Sequence, residues 1–391
     1  MREYTLVFTV AAAVTYLLTP IARRVALARG VLAQPRDRDV HAIPTPYLGG
    51  LAMYGGVAAA LLVSRSLPTL GKIWDQSSEP RAILIAGALI CLIGVLDDRY
   101  GLDALTKLAG QALSTGVMVL LGIQLLYLSL PGIGTVSLND DVAVPATVLL
   151  ALVMVNSINF IDGLDGLAAG VVAIAAGAFF VFCYQFSVVL QVQRAGPATL
   201  FSAVLAGVCV GFLPHNFHPA RIFMGDSGSM LIGLMLAAAA TSGTGQFAFD
   251  QLSGEDVAAY LTPLLVPVIV LVVPFIDLLL TIVRRMRSGR PLFAPDKEHL
   301  HHRLLELGHS QRRAVLIIYL WSGLIAFGGV AISFARPAIV ISVVGVLAAY
   351  PIATLVLARL SRRPAQVITL PTGDAPDPPA TPLPTDEARQ A

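Results

Sequence analysis

The fold is decided by apolar stretches such as residues 81–98, which read RAILIAGALICLIGVLDD. The 15 uncharged residues between Arg81 and Asp97 approach the roughly 20 that a helix needs to cross a bilayer. Similar runs recur along the 391 residues, of which 56% are hydrophobic and 13% charged. Soluble proteins carry about 25% charged residues, so this composition excludes a soluble enzyme and predicts a polytopic membrane protein. The net charge of +2 gives no indication of nucleic-acid binding.

The apolar runs predict an all-α fold, a polytopic transmembrane bundle of about 11 spans with its catalytic loops in the cytoplasm. The predicted spans are 4–20, 47–64, 81–96, 106–122, 143–158, 167–186, 199–213, 228–245, 258–283, 314–334 and 338–359. Residues 125–138 predict a short hairpin, because Pro131, Gly132 and Gly134 interrupt them. We expect one transmembrane domain over 1–363, followed by a disordered, proline-rich cytoplasmic tail over 364–391.

The distribution of basic residues predicts the orientation. With the N-terminus outside, 20 of the 26 Lys and Arg residues fall on cytoplasmic segments and 6 on outside segments. Cytoplasmic loops of membrane proteins are enriched in Lys and Arg, so this split predicts a cytoplasmic C-terminus. Four polar motifs all fall on loops that the same count assigns to the cytoplasm.

The first motif is an acidic pair at the end of the quoted run. Asp97 and Asp98 are adjacent, and Lys107 follows them. Adjacent carboxylates repel one another and are usually retained where a cation neutralises them, and hard oxygen ligands suit Mg²⁺. The pair therefore predicts a magnesium site, with a solvated helix end as the alternative.

The second motif, residues 156–167, reads NSINFIDGLDGL. Asn156 and Asn159 are one helical turn apart and so share a face, and Asp162 and Asp165 repeat that spacing. The glycines allow backbone amides to approach an anion closely. A helix N-cap would explain at most one of the two aspartates.

The third motif, residues 215–229, reads HNFHPARIFMGDSGS. Asp226 opens a predicted span together with Ser227 and Ser229, and a helix N-terminus favours phosphate. Because Asp226 would itself repel phosphate, its place there predicts a bound metal.

The fourth motif, residues 295–304, reads PDKEHLHHRL and follows a group of arginines. Its histidines and cations predict an anion-binding loop. A zinc site and a lipid-headgroup patch are the alternatives.

Together these motifs resemble, in order, the polyprenyl-phosphate N-acetylhexosamine-1-phosphate transferases. The resemblance extends from about Pro44 to Arg313. The loop at 299–304 is similar to that of the WecA/TagO branch, and less similar to that of the MraY branch, where three consecutive histidines precede a Phe. The resemblance implies transfer of a sugar 1-phosphate from UDP-GlcNAc to undecaprenyl or decaprenyl phosphate, with release of UMP. It also implies Mg²⁺ or Mn²⁺, a membrane-bound helical bundle and a homodimer.

The resemblance and the local chemistry assign a role to each candidate residue. The expected metal ligands are Asp226, Asp97 and Asp98. The expected catalytic residues are Asp97, Asp98, Asp162, Asp165, His301 and His302. The expected substrate-binding residues are Lys107, Asn156, Asn159, Asn216, Phe223, His299 and Arg303, with the Phe223 ring stacking on uracil.

Two other functions stay open on the sequence. The first is a transferase of the MraY type, which uses UDP-MurNAc-pentapeptide. The second is a secondary transporter, since acidic residues within membranes and broken helices also mark transport paths. A transporter predicts carboxylates near the bilayer midplane, whereas here the acids cluster at one face and Asp277 alone lies deep in a span.

Overall fold

The part of the chain that the structure describes folds into a bundle of long helices with two short antiparallel strand pairs. A computed structural model describes residues 1–33, 44–130, 134–189, 195–244 and 310–332, together with 340, 342–345 and 347. Nine of the eleven predicted spans fall on helices of this structure. The predicted span 258–283 and most of 338–359 lie outside the described residues, as does the predicted tail.

The helices of the described residues are α1 (Arg2–Arg29), α2 (Gly49–Arg65), α3 (Gly71–Gln76), α4 (Glu79–Tyr100), α5 (Ala104–Leu120), α6 (Asp140–Ile161), α7 (Leu167–Tyr184), α8 (Gly196–Asn216), α9 (Gly225–Thr244) and α10 (Gln311–Ile332). Among the described residues, six helices are long and apolar enough to cross a membrane, namely α1, α4, α6, α7 with its π-helical continuation to Val189, α8 and α10. The protein is therefore a helical membrane protein.

The short strands lie in two of the loops. Strand β3 (Tyr127–Leu130) pairs antiparallel with β4 (Gly134–Ser137), and Tyr127 lies opposite Ser137. This confirms the hairpin predicted over 125–138. Strands β1 (Leu32–Ala33) and β2 (Thr45–Pro46) form a second antiparallel pair, which the sequence did not predict.

Helix α9 lies at the centre of the described helices. Residues 227–243 are all buried, as expected of a helix that is apolar on every face. Helices α2, α4, α6 and α8 pack around it. The polar residues at the start of α9 are therefore held by the surrounding helices.

Side-chain contacts fix the directions of these helices. Glu79, at the start of α4, accepts a hydrogen bond from Ser242 near the end of α9, whereas Asp98, near the end of α4, binds the first residues of α9. The two helices are thus antiparallel. Asn159, near the end of α6, also contacts the first turn of α9, as does Lys107 in the first turn of α5.

Several loops consequently meet at one end of the bundle. Residues 101–103, 162–166 and 217–224 lie there, beside the segment that leads into α2. The prediction that the first three motifs share one face is therefore confirmed. The side of the membrane on which this face lies stays a prediction.

The helices are longer than the apolar runs that predicted them. Helix α1 continues to Arg29, where Gly30 ends it in a left-handed conformation (φ 66°). Helix α4 continues to Tyr100, so that Asp97 and Asp98 lie within the helix. Hydropathy locates the apolar part of a helix, but the backbone hydrogen bonds continue through polar residues beyond it.

Candidate active site

Two carboxylates converge on one ammonium group at the shared end of the bundle. The Lys107 Nζ lies 2.8 Å from Asp97 Oδ2 and 2.9 Å from Asp226 Oδ1. The side chains are 19%, 8% and 28% exposed, respectively. Charges that are partly shielded from water interact more strongly than exposed ones. The cluster therefore produces a strong local electrostatic field, and its side chains are partly accessible to solutes.

The two members of the acidic pair have separate surroundings. Asp98 Oδ1 accepts a hydrogen bond from Asp226 N at 2.7 Å, and Asp98 Oδ2 accepts from Ser227 Oγ at 3.0 Å and Ser227 N at 3.3 Å. Asp98 thus satisfies amides at the start of α9, which have no partner within their own helix. Asp97, in contrast, points toward Lys107 and also accepts from Leu102 N at 2.8 Å.

A glycine allows α4 to approach α9 at this point. A Cβ on Gly94 would lie 2.3 Å from both Cα and N of Ser227. Real Cβ atoms essentially never come so close to backbone atoms, so any side chain at this position would push the helices apart. Gly94 thereby brings Asp97 and Asp98 to the first turn of α9.

The two asparagines of the second motif have different partners. Asn159 Nδ2 donates to Asp226 Oδ1 and, at 2.8 Å, to Ser229 Oγ. Asn156 Nδ2 donates to Gln111 Oε1 and to Leu152 O, both at 2.8 Å. Asn159 therefore belongs to the Asp226 cluster, while Asn156 ties α6 to α5 one turn deeper.

Asp162 lies in the turn that follows α6 and is half-buried. Removal from water, and then the negative charge of Asp226, raises the pKa of Asp162 to about 8. The raised pKa favours the protonated carboxyl, which can donate a hydrogen bond as well as accept one.

Asp165 and Asn216, two further predicted site residues, bind other parts of the protein. Asp165 Oδ2 lies 2.7 Å from His218 Nδ1. Asn216 Oδ1 accepts from Gly166 N at 3.0 Å, and Asn216 Nδ2 donates to Ile222 O at 3.1 Å. These bonds join the turn at 162–166 to the loop at 217–224.

Phe223 lies at the edge of the same face. Its backbone N donates to Pro46 O at 2.9 Å, and its O accepts from Gly49 N at 3.1 Å. Its ring lies 6.1 Å from the ring of Tyr47 and is partly exposed. The loop that precedes α2 is thus fixed to the loop that precedes α9, and an aromatic face is left beside them.

The fourth motif is not part of the described structure. His299, His301, His302 and Arg303 lie outside the described residues, so their roles stay predictions. Sequence reasoning also missed residues that the structure brings to the site, namely Gly94, Gln111, Arg312 and Tyr319. Of these four, the sequence could have indicated only Gln111, because it stands four residues after Lys107 and so shares its helical face.

The donor set at the Lys107 cluster fits Mg²⁺. The carboxylate oxygens of Asp97 and Asp226 already converge on one cationic group. Within the described residues, no group of three or more His, Cys, Asp or Glu side chains is placed to hold a metal. Mg²⁺ is commonly bound by only one or two carboxylates, with substrate phosphates and water completing its shell. The two carboxylates therefore suit a metal that arrives with a phosphate ligand.

Comparison with known proteins agrees with this chemistry. The family model described as glycosyl transferase family 4 matches residues 81–244. The chain is 48% identical to decaprenyl-phosphate N-acetylglucosaminephosphotransferase of Mycolicibacterium smegmatis, over 93% of this chain and 90% of the relative. It is 35% identical to a probable undecaprenyl-phosphate N-acetylglucosaminyl 1-phosphate transferase of Bacillus subtilis, over 82% of each. Identity to phospho-N-acetylmuramoyl-pentapeptide-transferase of Desulforudis audaxviator is lower, at 29% over 79% of this chain and 93% of the relative.

Proposed function

The chain belongs to glycosyl transferase family 4, and we propose that it transfers N-acetylglucosamine 1-phosphate from UDP-GlcNAc to decaprenyl phosphate. The observation that carries the proposal is the convergence of Asp97, Lys107 and Asp226 where apolar helices end. A lipid phosphate sits at that depth, at the bilayer surface, while a nucleotide sugar arrives from water. The lipid-linked product would begin the synthesis of a cell-envelope polysaccharide.

The reaction exchanges one phosphate linkage for another. An oxygen of the lipid phosphate attacks the β-phosphorus of UDP-GlcNAc and forms a new P–O bond. The bond from that phosphorus to the bridging oxygen breaks, and UMP leaves with the bridging oxygen. The lipid then carries the sugar through a diphosphate.

The main barrier to this reaction is electrostatic. Both substrates are anions, and a phosphate with a second pKa near 6 is mostly dianionic at pH 7. A strong base is therefore not required, and positioning and charge neutralisation dominate, as in other phosphoryl transfers. The Lys107 ammonium would bind a phosphate oxygen once the carboxylates share another cation.

Asp97 and Asp226 are the residues that would hold Mg²⁺, with Mn²⁺ as a substitute. When bound, the ion neutralises phosphate charge and holds the two substrates in one orientation. The contacts of Asp98 support a different role from the predicted one, since its oxygens bind the backbone that positions Asp226. Asn159 supports Asp226 from the other side.

The remaining roles concern substrate recognition. Asp162, at the partly exposed side of the turn, would bind the nucleotide sugar together with Asn159. The Phe223 ring would stack on uracil. His299 and Arg303 would bind the substrate, and His301 and His302 would be catalytic residues that hold the reacting phosphates, as the sequence predicts.

The charge distribution supports one orientation in the membrane. The 20 to 6 division of basic residues supports a cytoplasmic active site, where UDP-sugars are available, with the N-terminus outside and the C-terminus inside. A homodimer stays a prediction of the family resemblance.

A comparison of donors tests the proposed function. We expect the purified protein, with decaprenyl phosphate and Mg²⁺, to use UDP-GlcNAc at least about a hundredfold more efficiently than UDP-MurNAc-pentapeptide. The measurement is kcat/KM for lipid-linked product with each donor. Preference for the pentapeptide donor would replace the proposal with the MraY-type alternative. Transport of the nucleotide sugar into proteoliposomes without any lipid product would favour a transporter.

A further inference from the structure

We propose that Asp165 is a positioning residue, which holds the turn carrying Asp162 through a bridge to His218 that α10 supports from outside. This inference rests on the proposed transferase function. It separates Asp165 from Asp162, although both stand in the same motif and the sequence predicts a catalytic role for both.

The contacts of Asp165 are internal. Its Oδ2 accepts a hydrogen bond from His218 Nδ1 at 2.7 Å and from Ala220 N at 3.0 Å. The side chain of Asp165 is 1% exposed, while that of His218 is 36% exposed. The histidine thus separates this carboxylate from the solution in which the nucleotide sugar arrives. Within the described residues, these hydrogen bonds of Asp165 join one loop to another.

Asn216 forms a second link between the same two loops. It accepts from Gly166 N and donates to Ile222 O, and it is 2% exposed. Buried polar groups that are fully paired restrict a backbone to one arrangement. The turn at 162–166 is therefore bound to the second loop at Asp165 and again at Gly166.

Helix α10 binds each of the two loops from the outside. Tyr319 OH donates to Gly166 O at 2.5 Å, and Arg312 Nε donates to His218 O at 3.0 Å. The Tyr319 ring lies against Gly170 in α7, where a Cβ would be 1.9 Å from Tyr319 Cζ. These two residues lie beyond the part of the chain that the family model matches. Arg312 nevertheless binds His218 of the bridge, and Tyr319 binds Gly166, the residue that follows Asp165.

The bridge matters for the reaction because the turn at 162–166, which it holds, carries Asp162. Asp162 precedes Asp165 by three residues and directly follows α6, in which Asn159 donates a hydrogen bond to Asp226. A displacement of about 1 Å at a reacting centre costs about a hundredfold in rate. Loosening the turn should therefore lower kcat without removing any group that touches substrate.

Asparagine and alanine at position 165 distinguish positioning from direct participation. The amide oxygen of Asp165→Asn can still accept from His218 and Ala220, whereas Asp165→Ala cannot. We expect kcat within about fivefold of wild type for Asp165→Asn and about a hundredfold lower for Asp165→Ala. We expect Tyr319→Phe, which loses only one hydrogen bond, to fall between them.

A double-mutant cycle tests whether Asp165 acts through His218. If Asp165 acts through His218, then His218→Ala should lower kcat to a similar extent as Asp165→Ala, and the double variant should be little worse than either. Thermal unfolding in detergent identifies variants that fail to fold, and Asp165→Asn with His218→Ala still tests the bridge if Asp165→Ala does fail.

The outcomes separate this inference from the proposed function. A folded Asp165→Asn protein as inactive as Asp165→Ala would overturn the inference, because the charge itself would then be needed. Additive losses from His218→Ala and Asp165→Ala would also overturn it. A folded wild-type protein without any transfer would instead overturn the proposed function.

Discussion

Replacing Asp226 by asparagine should abolish formation of the lipid-linked sugar, with a loss in kcat of about a thousandfold or more. The substitution keeps the shape of the side chain but removes the charge that Lys107 now contacts at 2.9 Å. It also removes one of the two carboxylates that would hold Mg²⁺. The measurement is product formation from UDP-GlcNAc and decaprenyl phosphate over a range of Mg²⁺ concentrations.

Asp103 provides the matched control for this substitution. It lies at the same end of the bundle, but its carboxylate is exposed and accepts hydrogen bonds from Leu105 N and Thr106 N as the N-cap of α5. Asparagine caps helices about as well as aspartate, so Asp103→Asn should keep near wild-type activity. Full activity in a folded Asp226→Asn protein would exclude Asp226 from the site.

Replacing Lys107 by methionine should lower kcat by about a hundredfold to a thousandfold and, at the same time, tighten the binding of Mg²⁺. The ammonium now neutralises Asp97 and Asp226, so its loss leaves both carboxylates to the metal. The phosphates, however, lose a cation that would bind them. A titration of activity with Mg²⁺ gives both quantities, namely the half-saturating concentration and the maximal rate.

Lys72 is the control for the lysine substitution. It is exposed on α3, in the loop between α2 and α4, at the other end of the bundle. Lys72→Met should leave both the Mg²⁺ dependence and the rate unchanged. If Lys107→Met required more Mg²⁺ than wild type, the ammonium would be supporting the metal instead of sharing its ligands.

The sequence predicts the helices well because a helix needs roughly 20 apolar residues to cross the bilayer. Nine of the predicted apolar runs lie on helices of the structure. The three described motifs share one end of the bundle because successive spans alternate in direction. The ends of the helices were predicted less well. Hydropathy predicts that the helix ends before Asp97 and Asp98, whereas both lie within α4. Their backbone hydrogen bonds do not depend on hydropathy.

The pairing of individual side chains could not be predicted in the same way. Asp97 and Asp98 are adjacent, and no pattern in the chain indicates that one faces Lys107 while the other binds the start of α9. That difference arises because neighbouring residues of a helix point about 100° apart. Tyr319 stands in an apolar run, where an aromatic residue is unremarkable, and only the packing of α10 on α7 gives it a partner.

The most direct test of the central claim is the fate of the β-phosphate of the donor. With UDP-GlcNAc labelled with ³²P at that position and with ³H in the sugar, decaprenyl phosphate and Mg²⁺, a sugar-1-phosphate transferase moves both labels into the lipid extract and releases unlabelled UMP. We predict this result. A sugar label in the lipid extract while the ³²P stays in water-soluble UDP would show transfer of the sugar alone, and would contradict the account.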